Sequence, residues 1–350
     1  MVGLVSYGLL SGPIESVEVL CELPAFSEPE RGWKRWLDVV SASVRVRRAV
    51  GRFSPDLVHA HFLTGPAWLG AAGGGAPLVV TAWGSDVFVD ARRPLVRVLH
   101  RATLRRAALA TCESRALATA LVDLGMPDNR IRRVLWGVDM QRFSPGPARS
   151  ELVEELGLHA GTLVLLAMRG VREIQNPSSI LAALAELRAR GRDATLVLLL
   201  GPGGFDALPA PLVDDLARLG LDDHVRVLGH LPHERLVDLY RLADVCLSVP
   251  SSDSTSIAVL EAMACGKPVV ASDIPANREW IDDRTNGMLV PPGDASALAA
   301  AVDWIAASGR TSRLGVSARE RVVGAADEKI EMDRMECFYR SLVSGDPLGD

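Results

Sequence analysis

Short apolar runs alternate with stretches of helical periodicity along most of the chain. In the second half, runs rich in Val and Leu occupy residues 163–168, 195–201, 224–229, 244–250, 268–273 and 287–292. In the first half, similar runs occupy residues 56–63, 77–84, 109–114 and 131–137. Runs of this length, separated by about 10 to 20 residues of helical pattern, are typical of buried parallel strands in βαβ units. The pattern therefore predicts two doubly wound α/β domains.

A break in the pattern separates the two domains. Residues 142–150, RFSPGPARS, contain two prolines and a glycine, which favour a linker. We expect an N-terminal domain at 1–145, a C-terminal domain at 146–327, and a final helix at 328–350 that packs back toward the N-terminal domain. Because ligands of open parallel sheets bind at the carboxyl ends of the strands, two such domains facing each other predict a cleft between them.

The first forty residues depart from this scheme. The apolar segments VGLVSYG and VEVLCEL are separated by only about nine residues, whereas a crossover between parallel strands needs about a dozen or more. No glycine-rich turn leads from them into a helix. The first domain is therefore expected to lack one β-loop-α unit at its start.

Composition and charge narrow the class of protein. With 48% hydrophobic and 23% charged residues, the chain is a globular protein and not a disordered or fibrous one. Its apolar runs are far shorter than the roughly 20 residues that span a bilayer, and its start lacks the basic region of a signal peptide, so a cytoplasmic location is expected. Five widely spaced cysteines favour reduced thiols over structural zinc. Residues 1–148 carry a formal charge of +5 and residues 149–350 a charge of −10, which suggests different partners.

The segment with the most candidate chemistry is residues 250–273, PSSDSTSIAVLEAMACGKPVVASD. Its pattern predicts a loop of small hydroxyl residues, a helix that ends at Gly266, and a following strand. Because this helix is apolar on every face, Glu261 is expected to be buried and to need hydrogen-bond partners, which ligand hydroxyls can supply. Free backbone N–H groups at the helix start suit a phosphate, and Asp253 lies at the mouth of the loop. The alternative is a capped helix whose Glu261 pairs with an arginine from another element.

Residues 253–302 resemble the signature of the family-4 retaining glycosyltransferases of the GT-B fold, whose two acids are separated by seven residues. The similarity continues through residues 53–63, 77–87, 112–145 and 227–251. Each piece is a weak signal, but the ordered set is specific. The resemblance implies an α/β GT-B fold of two Rossmann-like domains, and transfer of a sugar from a nucleotide diphosphate sugar to an acceptor hydroxyl.

The resemblance also implies roles for the two acids. Glu261 would hold the ribose of the donor nucleotide, and Asp253 would contact hydroxyls of the donor sugar. This chain has Asp253 where Glu is usual, so a side chain shorter by one methylene serves a different donor sugar or reaches it less directly. Ser256 and Ile257 would give backbone N–H groups to the diphosphate.

Further donor residues follow from the same resemblance. Arg169 matches an arginine that binds the diphosphate, but the accompanying lysine is replaced by Ile174 or Gln175. Arg172 is the candidate for the second positive charge, the alternative being an ordinary surface arginine.

Gly229 and His230 match the turn that cradles the nucleotide base. The donor is then expected to carry UDP or GDP, with no other cofactor, no metal and no side-chain nucleophile.

The acceptor-side candidates are His61, Trp83 and Asp86. His59 and His61 lie on one face of a predicted strand, and a core role for at least one of them is favoured over catalysis by both. Trp83 stands where many relatives carry His, and its indole suits a sugar or a lipid. The alternative role for Asp86 is a helix N-cap.

Arginines recur every four residues in a predicted helix, at Arg93, Arg97, Arg101 and Arg105. Two interpretations are open: a solvated helix face, and peripheral contact with anionic lipid at the inner face of the membrane. Nucleic acid is not expected, because no aromatic residues or known binding motif accompany the arginines.

Family members typically begin with a strand, a glycine-containing loop and a helix that have no counterpart here. We therefore expect that the natural protein starts about 40 residues earlier, or that this form is impaired. The expected setting is the synthesis of envelope polysaccharide, glycolipid or another glycoconjugate. Two alternatives stay open: a nucleotide-sugar 2-epimerase of the same fold, and an inactive nucleotide-sugar-binding remnant.

Overall fold

The structure, a computed structural model, describes residues 2–7, 17–23, 34–200, 208–229, 231–307 and 309–349. The chain divides into two compact units. Unit 1 is Met1–Val134 with Arg334–Asp350, and unit 2 is Leu135–Asp333.

Unit 1 contains two parallel sheets in its described part. Strand β1 (Val2–Tyr7) pairs with β2 (Val17–Leu23), a parallel pairing that the short connection between them did not predict. The second sheet has the order β3-β4-β5-β6, formed by Val58–His61, Leu78–Thr81, Ala107–Cys112 and Ile131–Arg133. The helices between these strands are α1 (Lys34–Phe53), α2 (Pro66–Gly73), α3 (Ser85–Phe88), α4 (Pro94–Arg106) and α5 (Arg115–Asp123).

Unit 2 contains one six-stranded parallel sheet with the order β12-β11-β10-β7-β8-β9. These strands are β7 (Leu163–Ala167), β8 (Ala194–Leu199), β9 (Val225–Leu228), β10 (Val245–Ser248), β11 (Val269–Ser272) and β12 (Met288–Val290). The helices of this unit are α6 (Ser150–Glu155), α7 (Pro177–Ala189), α8 (Ala210–Leu219), α9 (His233–Leu242), α10 (Ile257–Ala264), α11 (Pro275–Arg278), α12 (Ala295–Ala306) and α13 (Arg310–Val322). A last helix, α14 (Glu328–Ser344), crosses the boundary into unit 1.

All ten strands predicted from the apolar runs are present, and two α/β units built on parallel sheets confirm the predicted fold class. Neighbouring residues of β7 pack on opposite faces of the sheet, Leu165 with the core beside α7 and α12, and Leu166 with the core beside α9 and α10. A strand that is buried on both faces needs an unbroken apolar run, which is why periodicity identified it.

The units divide after residues 134 and 333, whereas the expected domain boundaries lay after residues 145 and 327. Residues 135–145 go with unit 2 because Leu135, Val138 and Phe143 are buried in its core. The end of the chain goes with unit 1. There, the Tyr339 hydroxyl lies 2.5 Å from His59 Nδ1.

The sheet of unit 2 changes direction between β7 and β10. From β7 the chain moves outward through β8 to β9, and then returns to the other side of β7 to form β10, β11 and β12. Such a switch point leaves a crevice at the carboxyl ends of the two central strands, because the connecting segments lead away in opposite directions. Residues that directly follow β7 and β10 are therefore brought together.

The end of α10 is tightly packed. Gly266, with φ +71°, ends this helix as its sequence predicted, and the Lys267 N–H donates to Ala262 O. Gly315 of α13 lies directly against this turn, since a Cβ atom at residue 315 would be 2.0 Å from Gly266 O. Helix α13 thus holds the C-terminal end of α10 in place.

Within the described residues, we find no helix that combines the length and the apolar character needed to cross a bilayer.

Replacing Gly315 with Ala should destabilise unit 2, because the added methyl group forces α13 away from the α10 turn. We expect a loss of roughly 1–3 kcal/mol in the free energy of unfolding, measured by urea denaturation. Gly51→Ala in α1 is the control, since nothing lies within 4 Å of its added Cβ. That variant should be as stable as the parent or gain up to about 1 kcal/mol. Equal stability of the two variants would contradict this packing.

Candidate functional site

Arg169 joins the two central strand ends of unit 2. It follows β7, and its guanidinium makes an ion pair of 3.1 Å with Asp253, in the loop that follows β10. The same guanidinium donates a hydrogen bond of 2.7 Å to Ser256 Oγ, at the start of α10. The structure therefore brings together three of the residues predicted from sequence, Arg169, Asp253 and Ser256, at the switch point of the sheet.

Asn176 holds the loop after β7 against the loop after β10. Its backbone is left-handed, with φ 52°, and its side-chain amide donates to Val249 O at 2.8 Å and to Ser251 Oγ at 2.9 Å. The Ser251 N–H donates to Ile174 O at 2.8 Å. Sequence reasoning missed Asn176, although an Asn directly before the proline that opens α7 was an available signal.

The Asp253 carboxyl has a raised pKa because it is buried, and the charges of Arg169 and Arg172 only partly offset this effect. Arg172 is itself exposed. The charge of Arg172 therefore acts on Asp253 from an exposed position, whereas Arg169 is the cation in contact with this carboxylate.

The N-terminal end of α10 offers free hydrogen-bond donors. Ser256 caps the helix by accepting from the Val259 N–H, whereas the N–H groups of Ile257 and Ala258 meet no acceptor in the described part of the chain. Oriented donors at a helix start favour an anion. An anion at this point would also meet the guanidinium of Arg169.

The expectation that α10 is buried on every face is wrong for one strip. Ile257, Ala258 and Glu261 are half-buried, while Val259, Leu260 and the three residues after Glu261 are buried. Positions 257, 258 and 261 share one side of a helix. The strip therefore gives Glu261 one open side, continuous with the free N–H groups.

Glu261 pairs with a tyrosine and not with the arginine that the alternative interpretation required. The Tyr240 hydroxyl donates to Glu261 Oε2 at 2.7 Å, and among the described residues no arginine or lysine lies within ion-pair distance of this carboxylate. Burial raises the pKa of Glu261 to about 7, although the bond from Tyr240 acts in the opposite direction. Sequence reasoning missed Tyr240 because it lies in a different helix.

Three more buried polar side chains at or after the ends of β7 and β10 have atoms without a partner in the part of the chain described: Gln175, Ser248 and Ser254. Gly229 follows β9, two strands from β7, and is half-buried. His230, its predicted neighbour in the base-binding turn, lies outside the described residues.

In unit 1, His59 is half-buried and both of its ring nitrogens have partners. Its ring nitrogens lie 2.5 Å from the Tyr339 hydroxyl and 2.7 Å from Thr81 Oγ1. Burial, and then the neighbouring His61, lower the pKa of His59 to about 3, so its ring is neutral. His59 is thus engaged by partners within unit 1, which agrees with the structural role expected for at least one residue of this pair.

His61 and Trp83 lie together on the surface of unit 1. Both side chains are exposed, and their rings meet edge to face with centroids 6.2 Å apart. The His61 ring also lies 4.1 Å from that of His59. These two acceptor-side candidates therefore form one exposed aromatic pair, backed by a fixed histidine.

Asp86 is fully buried and serves the loop, in place of the acceptor-facing role considered from sequence. Its carboxylate accepts backbone N–H bonds from Leu63 at 2.7 Å, Gly84 at 2.9 Å and Val87 at 3.1 Å, and also from Trp83. Because both oxygens are used by backbone amides, none is left to face a ligand. Asp86 thereby fixes the turn that presents Trp83.

No group of three or more His, Cys, Asp or Glu side chains in the described ranges is arranged to hold a metal ion.

Solved structures of similar shape define the fold class. The chain superposes on HepE of Anabaena in complex with UDP with a TM-score of 0.74 and 21% identity, covering 94% of this chain and 86% of that one. For sucrose-phosphate synthase of Thermosynechococcus elongatus the TM-score is 0.76 at 22% identity, covering 93% and 84%. The fold is the GT-B fold of glycosyltransferases.

Sequence relatives then identify the family. Residues 162–308 match the model of the group 1 glycosyl transferases, and residues 15–142 match that of glycosyltransferase family 4. A D-inositol 3-phosphate glycosyltransferase of Xylanimonas cellulosilytica is 34% identical over 282 residues, which cover 75% of this chain and 67% of that protein. The chain belongs to the family-4, or group 1, glycosyltransferases.

The proteins of the same name from Saccharomonospora viridis and Nocardia farcinica are 34% and 31% identical over 73% and 77% of this chain. The chain spans only 62% and 63% of the length of these two relatives.

Replacing Asp86 with Asn should loosen the turn that carries Trp83. The amide NH2 group would replace one acceptor oxygen with a donor that faces backbone N–H groups, which are donors themselves. We expect a loss of roughly 1–3 kcal/mol in local stability, measured by hydrogen exchange at the amides of Leu63 and Gly84. Asp123→Asn, at an exposed position of α5, is the control and should change exchange little. Unaltered protection of both amides in the Asp86 variant would refute the positioning role.

Proposed function

We propose that this chain binds a nucleotide diphosphate sugar in unit 2 and transfers its sugar to an acceptor hydroxyl with retained anomeric configuration. The observation that carries the proposal is the meeting of Arg169, Asp253 and the free start of α10 at the switch point, with Glu261 on the open side of the same helix. Membership of the glycosyltransferase family supports the same reaction class.

The diphosphate is assigned to Arg169 and to the N–H groups of Ile257 and Ala258. Negative charge grows on the diphosphate as the bond to the sugar breaks, and preorganised cations and helix donors stabilise that charge. Arg172 takes the place of the missing lysine as the second cation. Because a bound diphosphate competes for Arg169, it releases Asp253 to accept hydrogen bonds from the donor sugar.

The nucleoside is assigned to the other residues of the site. Glu261 accepts hydrogen bonds from the ribose hydroxyls, and the turn of Gly229 and His230 holds the base. HepE of Anabaena, which has the same fold, has been solved in complexes with UDP and with UDP-glucose, which favours UDP over GDP as the first nucleotide to test.

The acceptor is assigned to the exposed pair of His61 and Trp83 in unit 1. In the reaction proposed, the bond between the sugar and the diphosphate breaks, the acceptor oxygen bonds to the same face of the sugar, and the departing phosphate takes the acceptor proton. The chemistry proposed uses no side-chain nucleophile, no cofactor and no metal. The product would be a glycoconjugate such as a glycolipid or an envelope polysaccharide.

Calorimetric titration with UDP and with GDP should show binding of one nucleotide. Glu261→Ala should lose the ribose contacts and Arg169→Ala the diphosphate contact, each weakening binding by roughly tenfold or more. Arg278→Ala is the matched control, since this exposed arginine pairs only with Asp273 in the described structure and should bind like the parent. If neither nucleotide binds to the folded parent, the donor site is refuted. Epimerised sugar formed without an acceptor would instead favour the 2-epimerase.

We also propose that unit 1 contacts an anionic membrane at the inner face of the cell through α4 and the residue before it. The four arginines of the predicted stripe, Arg93, Arg97, Arg101 and Arg105, are all exposed. Residues 92–106 contain no acid, and no carboxylate of the described structure makes an ion pair with these arginines. Their charge is therefore available to a partner.

An apolar strip accompanies this charge. Leu95 and Val98 are 56% and 61% exposed, and together with Ala102 they follow the helix beside the arginine stripe. Exposed aliphatic side chains next to arginines suit the boundary between lipid headgroups and acyl chains better than they suit water. This combination favours a membrane over a merely solvated face.

Vesicle sedimentation should show binding to phosphatidylglycerol vesicles that salt weakens, and little binding to phosphatidylcholine vesicles. Leu95→Glu with Val98→Glu should reduce this binding strongly, since both the apolar contact and the net charge change. Val316→Glu, at a 60% exposed position of unit 2, is the control for an added surface charge. Equal binding by the double variant and by this control would contradict the membrane contact.

A further inference from the structure

Tyr240 is a buried phenol whose hydroxyl, among the described residues, bonds only to the Glu261 carboxylate. It lies near the end of α9, is 1% exposed, and donates from its hydroxyl to Glu261 Oε2 at 2.7 Å. A phenylalanine would fill the same volume without requiring a partner for a hydroxyl. The hydroxyl therefore serves the polar contact and not the packing of the core.

The ring of Tyr240 is held rigidly. It packs in the core beside Val237 and Cys246, and it meets the Phe143 ring edge to face with centroids 5.9 Å apart. Because the ring is enclosed, the position of its hydroxyl is set by the core of unit 2. A side chain bonded to this hydroxyl is thereby fixed as well.

Glu261 is fixed on one side only. Its Oε2 atom accepts from Tyr240, whereas its Oε1 atom meets no donor from the residues that the structure describes. A carboxylate on the half-buried strip of α10, with one oxygen anchored and the other without a described donor, is suited to receive ligand hydroxyls. We infer that Tyr240 is a positioning residue that orients Glu261 for the ribose hydroxyls of the donor nucleotide, an inference that rests on the proposed donor site.

The charges around Glu261 agree with this role. Burial raises the pKa of Glu261 to about 7, and the hydrogen bond from Tyr240 is the interaction that lowers it. Tyr240 itself remains a donor, since burial and the Glu261 charge raise its pKa well above the ordinary value.

The other titratable groups in this region do not replace Tyr240. Burial raises the pKa of Cys265 to about 12 and also raises that of Cys246, so both thiols stay neutral. The cations Arg241, Lys267 and Arg319 act on Cys265, and none of them pairs with Glu261 in the described structure.

The sign of the pH dependence follows. Ribose hydroxyls donate to the ionised carboxylate, so the ribose contribution to binding should increase as pH rises through the pKa of Glu261. Removing the Tyr240 hydroxyl removes a bond that favours the ionised form. The pKa of Glu261 then rises, and the ribose contribution should appear only at higher pH.

The experiment compares UDP with 2′,3′-dideoxy-UDP, or the GDP pair if GDP is the ligand that binds, by calorimetry across the range from about pH 5.5 to 9. Both ligands carry the same diphosphate, so its own ionisation cancels in the ratio of their affinities. The quantity of interest is the affinity for the ribonucleotide divided by the affinity for its dideoxy analogue. For Tyr240→Phe we expect this ratio to fall about three- to tenfold at neutral pH, and the midpoint of its dependence on pH to rise by about one pH unit. The affinity for the dideoxy nucleotide should be unchanged, which also shows that the variant is folded.

Two further variants separate orientation from packing. Glu261→Gln should give a ratio that does not vary with pH, which identifies Glu261 as the titrating group. Phe143→Leu removes the ring that packs against Tyr240 but leaves the hydroxyl, so its midpoint should match that of the parent even if its stability is lower.

Three results would overturn the inference. If the parent binds neither UDP nor GDP, the proposed function fails and the inference fails with it. If the parent binds but Tyr240→Phe keeps the parental ratio and midpoint, the donor site stands and only the positioning role is overturned. A midpoint that moves equally in Phe143→Leu would assign the effect to packing and would also overturn that role.

Discussion

A carboxylate on a buried helix needs hydrogen-bond partners, and the structure around helix α10 in unit 2 meets this need for Glu261. Helix α10 is apolar enough to pack between the sheet and α13, and Gly315 allows the close approach that fixes its end. Packing of this kind stabilises the unit but removes Glu261 from most of the surrounding water. The fold compensates with one internal donor, Tyr240, and one open strip along the helix. The same strip carries the free N–H groups. The packing of α10 therefore buries most of the helix and leaves Glu261 and these N–H groups on its one open side.

The remaining charges of unit 2 depend on the order of its strands. Because β7 and β10 are neighbours although β8 and β9 lie between them in sequence, Arg169 meets Asp253 and Ser256. The guanidinium is thereby held between an acid and a helix start. A guanidinium held between an acid and a helix start can also pair with an anion, which agrees with the proposed binding of a diphosphate. Asn176 adds rigidity, since it ties the two loops together at the strand ends.

In unit 1, two polar side chains support neighbouring parts of the structure. His59 is neutral and bonded on both sides, and Asp86 is saturated by backbone amides, so neither retains capacity for a ligand. The residues that they support, His61 and Trp83, are exposed and lie together on the surface of this unit. The arginines and aliphatic residues of α4 are exposed as well. In unit 1, therefore, the supporting residues and the exposed candidate residues are different side chains. In unit 2, one helix, α10, both packs in the core and carries candidate site residues.

The sequence by itself determined the ten strands of the two main sheets and the ends of α10, because periodicity and capping depend on residues that are neighbours in the chain. It also indicated Arg169, Asp253, Ser256 and Glu261 as members of one site. Only the tertiary structure decided which groups these residues contact. Tyr240 lies 21 residues from Glu261, and Arg169 lies 87 residues from Ser256, so their contacts arise from the packing of separate elements. The burial of Asp86 was decided in the same way, since no local pattern distinguishes a carboxylate that caps a turn at the surface from one that four backbone amides enclose.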